Sequence, residues 1–257
     1  MDHKLNRTAL RLAFLLGGLT LWELTSRFAP WPHYLFPGPF LVGRSLFGLV
    51  RDGRLAAATG KSLGRLAEGY MISVVVGIPL GFAMARVAFF RVVLKPVLTG
   101  LQSLPSICWL PLALLWFGLS EAAILFVVVM GSVLAIAIAA EDGVLSIQPQ
   151  LIQVAGTLGI RGWRFYAGVL FPGALPGVTT GLKLGWSFAW RALLAGELLF
   201  VSGGLGQLLT TGRELLDVPL VMAVMVTIVV VGYAMDRLLF QTLEVQVRRR
   251  WGLVAAT

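Results

Sequence analysis

The chain has 257 residues, of which 58% are hydrophobic and 13% charged, with a mean hydropathy of +0.86. Soluble domains carry about 25% charged residues, and so few charges could not cover this much apolar surface; a disordered chain, an ordinary cytosolic enzyme and, with Cys108 as the single cysteine, a disulfide-stapled secreted domain are excluded. The net charge of +9 comes without a basic helix interleaved with exposed aromatics, so it points to lysines and arginines at span ends facing anionic lipid, not to nucleic acid.

A helix needs about 20 apolar residues to cross a bilayer. Six segments meet that requirement, 9–28, 66–86, 96–117, 122–140, 174–200 and 218–240. They are long and continuously apolar, not alternating, which favours helices over strands. The expected fold class is all-α, a polytopic membrane protein organised as one domain over residues 1–257. Lys4, Arg7 and Arg11 precede the first segment as in a signal peptide, but no A-x-A-like site follows it. We therefore expect an uncleaved anchor.

Loop charge sets the orientation. With the N-terminus inside, twelve Lys and Arg residues fall on inner segments and seven on outer ones. That bias places both termini in the cytoplasm. Residues 30–65 run against it with five of the seven. There Phe40, Leu41, Leu46, Leu49 and Val50 alternate with Arg44, Arg51 and Arg54 as in an amphipathic helix on the outer surface.

The spans hold few acids. Glu23, Glu68 and Glu197 fall near outer ends and Asp236 near an inner end, and His3 and His33 lie outside the spans, so no Asp/Glu/His proton relay is expected. Neither a His-Glu-x-x-His helix, nor a Cys/His ligand cluster, nor a Ser/His/Asp set is present, and no metal site or catalytic residue is expected. Thr59-Gly60-Lys61-Ser62 ends like a phosphate-binding loop, but the glycine that motif needs is Leu55, and no hydrophobic strand precedes it. ATP, if used, is bound by another chain.

Span three carries Pro105 and Pro111, each of which removes a backbone donor and bends a helix. With Gln102, Ser103 and Trp109 nearby, the bend reads either as a gate in a translocation path or as a packing kink. Residues 141–173 form the longest inner loop. Pro149 suits a helix N-terminus, Leu151, Ile152, Ala155 and Leu158 follow helical spacing, and Gly159 suits the C-terminal cap. A second short helix is expected from about Gly162 to Leu170, ending before Pro172. Lys183 and Arg191 lie inside span five, where a charge costs about 3 kcal/mol at the bilayer centre. Their spacing puts them about 80° apart around a helix, so both could line one cavity with Ser187 between them, suited to a small anion. The bland alternative has Lys183 reaching the inner interface and Arg191 paired with a neighbouring helix.

Aligned on Gly159, the loop residues Gln153, Val154, Ala155, Gly159, Val169, Phe171 and Pro172 resemble the signature E-A-A-x3-G-x9-I-x-L-P of ABC importer permeases. The first position departs, with Gln153 where the family has glutamate. Leu104-Pro105-Ser106-Ile107-Cys108-Trp109-Leu110-Pro111, Trp116-Phe117-Gly118, Gly77-Ile78-Pro79-Leu80-Gly81, Ala174-Leu175-Pro176, Gly196-Glu197-Leu198 and Gly204-Leu205-Gly206 are similar, in order and spacing, to nitrate/sulfonate/taurine-type permeases. The resemblance implies a type I ABC importer permease fold in the cell inner membrane. It implies a second permease copy as a homodimer, two ATPase subunits that hold ATP and Mg, and an extracytoplasmic substrate-binding protein, with no cofactor on this chain. It also implies a coupling surface of Gln153, Val154, Ala155, Thr157, Leu158, Gly159 and Arg161. The tight turn at 202–206 faces outside and reads either as a contact for a binding protein or as a plain turn. From the residues alone, an ATP-independent secondary transporter or channel and a pathless scaffold subunit remain as alternatives.

Overall fold

The computed structural model describes residues 2–28, 30, 35–199 and 203–250. His33, Ser202 and the last residue of the fifth predicted span lie outside them. The described residues are helical throughout, in two compact units.

Unit one comprises residues 1–60 and 203–229. Its helices are α1 (Asp2–Phe28), α2 (Pro39–Arg51), the first turns of α3 (Arg54–Arg86), α10 (Leu205–Glu214) and most of α11 (Val218–Met235). Helix α2 is the amphipathic segment expected between the first two spans, with Pro39 in its first turn, where a missing N–H is harmless. The α1–α2 connection is held by Trp22 Nε1–H donating to the Pro37 carbonyl at 3.1 Å and Ser26 Oγ–H to Phe36 at 3.2 Å. Helix α10 ends with Leu216 at φ 55, the one left-handed non-glycine residue described. The Asp217 N–H reaches back to the Gly212 carbonyl at 2.9 Å, and the Asp217 carboxylate accepts from Leu220 N–H at 3.0 Å, opening α11.

Unit two comprises residues 61–202 and 230–257. It holds the rest of α3, α4 (Ala88–Gln102), a 3₁₀ turn (Ser106–Trp109), α5 (Leu110–Phe117), α6 (Glu121–Leu145), α7 (Pro149–Thr157), the single turn α8 (Trp163–Phe165), α9 (Phe171–Glu197) and α12 (Thr242–Arg250). Helix α6 is its centre. Its N-terminus is capped by Ser120, whose hydroxyl accepts from Ala123 N–H, with Glu121 in the first turn.

Small residues let two helices approach α6 closely. On α3, Gly69, Ser73, Gly77 and Gly81 recur every four residues and so share one face. A β-carbon at Gly77 would lie 2.9 Å from Ile136 Cγ2, and one at Gly69 2.7 Å from Val128 Cγ1. Ser73 and Ser132 hydroxyls share a hydrogen bond at 2.7 Å across this seam. On α9, Gly177, Gly181 and Gly185 repeat the spacing against Gly143, Ala139 and Ile136 of α6. Helices in lipid gain little from apolar burial, so close van der Waals contact through small residues is what binds them. Tyr70, Trp186 and Phe240 close the other side of α3 and α9, with Tyr70 and Trp186 edge to face at 5.2 Å and Tyr70 O–H donating to Leu182 at 2.8 Å.

Two expectations are corrected. Span three is not one bent helix. Helices α4 and Ser106–Phe117 meet at 103° across a break at Ser103–Pro105. Pro105 lacks the N–H to continue the ladder and keeps Leu104 out of the helical region, while Pro111 sits in the first turn of α5, where it fits. The second helix of the loop does not stop before Pro172. It winds through a π segment, Tyr166–Leu170, into α9. The wider π turn accommodates the donor missing at Pro172.

Three described helices are long and apolar enough to cross a membrane, Arg54–Arg86, Glu121–Leu145 and Val218–Val247, and a fourth if the broken pair counts as one. Helices α1 and α9 have 27 residues each, about 40 Å, but carry more polar residues.

Candidate functional site

The break between α4 and α5 opens a cavity of about 390 Å³ inside unit two. Gln102 and Ser103 from the end of α4, Ser106 and Trp109 from the 3₁₀ turn, and Phe188 and Arg191 from α9 line it. Gly131 of α6 forms its floor, where a β-carbon would sit 2.9 Å from Ala192 Cβ and 3.2 Å from Ser106 Oγ. Unpaired backbone at membrane depth is tolerated where it lines such a cavity. The helix break is thus what lets a polar pocket exist here.

Arg191 is the only charged residue on the lining. Its guanidinium lies 4.8 Å from the Phe188 ring, and its Nε–H donates to the Ser187 carbonyl at 3.1 Å. Among the described residues it forms no ion pair. It also borders a second, smaller cavity with Ser187 and Asp236. Trp109 is 9% exposed and packs edge to face on Phe126.

The six path candidates therefore do not share one place. Gln102, Ser103, Trp109 and Arg191 meet at the large cavity. Ser187 lies on the smaller one. Lys183 is on neither, its Nζ being 3.3 Å from Glu244 of α12. Of the two readings of their spacing, the described cavities do not bring Lys183 and Arg191 together. Two helical turns separate them along α9, and α12 supplies Lys183 with a carboxylate.

The elbow is α7. Gly159, at φ +67, ends it in a glycine-terminated double bond pattern, with Ile160 N–H to Ala155 at 3.0 Å and Gly159 N–H to Gly156 at 3.1 Å. Ala155 is buried, and Gln153, Val154, Thr157, Leu158, Gly159 and Arg161 are exposed. Leu151, Val154 and Leu158 are apolar yet 52%, 54% and 70% exposed. Beyond the elbow, the Arg86 guanidinium stacks on Phe165 and Tyr166 at 5.4 and 5.6 Å, tying the end of α3 to the start of the α9 assembly.

Two buried charge clusters were not legible in the sequence. Arg65 donates to both oxygens of Glu121, with Nη2 at 2.6 Å, and through Nη1 to Glu197 at 2.8 Å, where Ser62 O–H also donates. This joins α3, α6 and α9 at one end. On α6, Glu141 is fully buried, and Lys95 of α4 stands 3.1 Å away, also reaching Asp142 at 2.9 Å. The signal was present in part. A glutamate inside an apolar run requires a partner, but sequence does not say which.

The described residues thus form a helical chain packed through glycines, with an exposed helical elbow. A subunit of the inward-facing MetNI methionine ABC transporter superposes with TM-score 0.65 at 19% identity, covering 76% of this chain and 96% of that one. Among relatives, the taurine transport permease TauC of Escherichia coli is 30% identical over 85% of this chain and 81% of its own length. The bicarbonate transport permease CmpB of Synechocystis is 31% identical over 75% and 71%. The chain belongs to the family of binding-protein-dependent transport system inner membrane components, whose model matches residues 77–248. It is thus an ABC importer permease of the nitrate/sulfonate/taurine type, a transport subunit of the membrane.

Proposed function

We propose that this permease works as a homodimer over its whole length, each copy crossing the inner membrane six times with both termini cytoplasmic. Two separate ATPase subunits hold ATP and Mg, and an extracytoplasmic binding protein delivers the solute. The solute is a small anion, in the chemical range of the taurine and bicarbonate that the relatives' names record.

The observation that carries this reading is the exposure of α7. An apolar row left uncovered on a short, rigidly capped helix is a docking face for a partner. Gln153, Val154, Ala155, Thr157, Leu158, Gly159 and Arg161 are the residues that would sit in an ATPase groove. Closing of the ATPase would move α7 as a body, and the α8–α9 continuation would carry that motion to the helix that bears Arg191. Such coupling needs an element with two arrangements that both sites bias. An ATP-independent transporter would have no use for this face.

The test is co-purification of the chain with its ATPase, with Gly159→Leu and Leu158→Asp as variants. Gly159→Leu strains the left-handed cap, and Leu158→Asp charges the face without touching the fold. We expect both to insert normally, and to lose solute-stimulated ATP hydrolysis. Normal stimulation in both would overturn the assignment.

A further inference from the structure

The cavity at the α4–α5 break carries a cation and, among the described residues, no carboxylate. Arg191 is committed through its Nε–H to Ser187 and stacked on Phe188, so its four remaining N–H groups are held in one orientation. It makes no ion pair among the described residues, and the one carboxylate that shares a cavity with it, Asp236, lies on the smaller cavity and not on this one. Arg191 is exposed on the cavity lining, so its guanidinium is open to a charged solute and not sealed in the protein.

The rest of the lining fits that partner. Ser103 O–H is already spent on the Gly100 carbonyl at 2.7 Å, so the side-chain donors that remain beside Arg191 are those of Gln102, Ser106 and the Trp109 indole. No carboxylate lines the cavity. Its volume, about 390 Å³, lies in the usual range of small-molecule sites, about 300–1,000 Å³. A planar guanidinium pairs with two oxygens at once, while the Trp109 and Phe188 rings offer an apolar wall.

From this we propose that the permease itself binds a compact oxyanion, a sulfonate or carboxylate, at Arg191, so that selection against cations is exercised within the membrane as well as by the binding protein. The inference rests on the cavity being part of the solute path. It assigns Arg191, Gln102 and Ser106 as the anion-contacting groups, with Ser103 and Lys183 outside the contact.

The experiment uses the intact transporter in lipid nanodiscs. In a Cys108→Ser background, Ser106→Cys is reacted with an anionic (sulfonatoethyl) and a cationic (trimethylammonioethyl) thiosulfonate of similar size. Rates are normalised to a free thiol in solution. A nearby unit charge makes the anionic reagent react about tenfold faster, and Arg191→Gln brings the ratio back to within about twofold of solution. Sodium ethanesulfonate slows labelling when Arg191 is present and does not when it is Gln. Gln102→Cys, on the same lining, gives the same reading if Ser106→Cys fails to assemble. A ratio that Arg191→Gln does not change, or equal protection by ethanesulfonate and by tetramethylammonium chloride, overturns the proposal. Loss of ATPase co-purification would instead overturn the importer reading and leave this ratio standing.

Discussion

Arg65 of α3 reaches Glu197 of α9 at 2.8 Å, with the carboxylate wholly buried and the guanidinium 6% exposed. Removing one partner of a buried pair leaves a bare charge and destabilises by about 3–5 kcal/mol, whereas replacing both by apolar residues is often neutral. Arg65→Met is therefore expected to lower the melting temperature sharply, and Glu197→Leu in the same chain to restore part of the loss. Loss of the Arg65–Glu121 pair, which Glu197→Leu does nothing to replace, makes the restoration incomplete. Thermal unfolding of single and double variants in detergent checks it.

Lys95 faces Glu141 under harsher conditions. The ion pair at 3.1 Å is not aligned as a hydrogen bond, and both carboxylate oxygens lack an acceptor bond among the described residues. Glu141→Gln removes the charge that must be neutralised, so it is expected to be milder than Lys95→Met, by roughly 1–3 kcal/mol. Equal losses in the two variants, measured by thermal unfolding, would refute the burial argument.

The glycine seam predicts opposite outcomes for one chemical change. Gly181→Ala places a methyl 2.5 Å from Ala139 Cβ, and overpacking of this kind costs about 1–3 kcal/mol. Gly64 meets nothing within 4 Å on the same type of helix, and Gly64→Ala is expected to stabilise by about 0.5–1 kcal/mol through helix propensity. Melting temperatures should move in opposite directions.

Leu216 holds a left-handed turn, at φ 55, that strains a side chain by roughly 1–2 kcal/mol. It is 84% exposed, so little packing is lost on removing it. Leu216→Gly is expected to raise the melting temperature, and a fall would show that this leucine is engaged elsewhere.

The membrane class, the amphipathic α2, the α7 elbow and its Gly159 stop were all legible because they rest on local properties: run length, helical period, and the φ preferences of proline and glycine. Their reach is a few residues, and a sequence states them outright. The break in span three was not legible. Two prolines six residues apart allow either a kink or a stop, and the 103° turn is seen only in the structure. The partners of Glu141, Glu197 and Lys183, and the choice of Arg191 over Lys183 for the cavity, were decided only by tertiary structure. Those outcomes depend on which faces of distant helices meet, and the meeting is set by small-residue seams whose facing residues lie 34 to 59 positions apart, and whose spacing on one helix says nothing of the residue they will touch on the next.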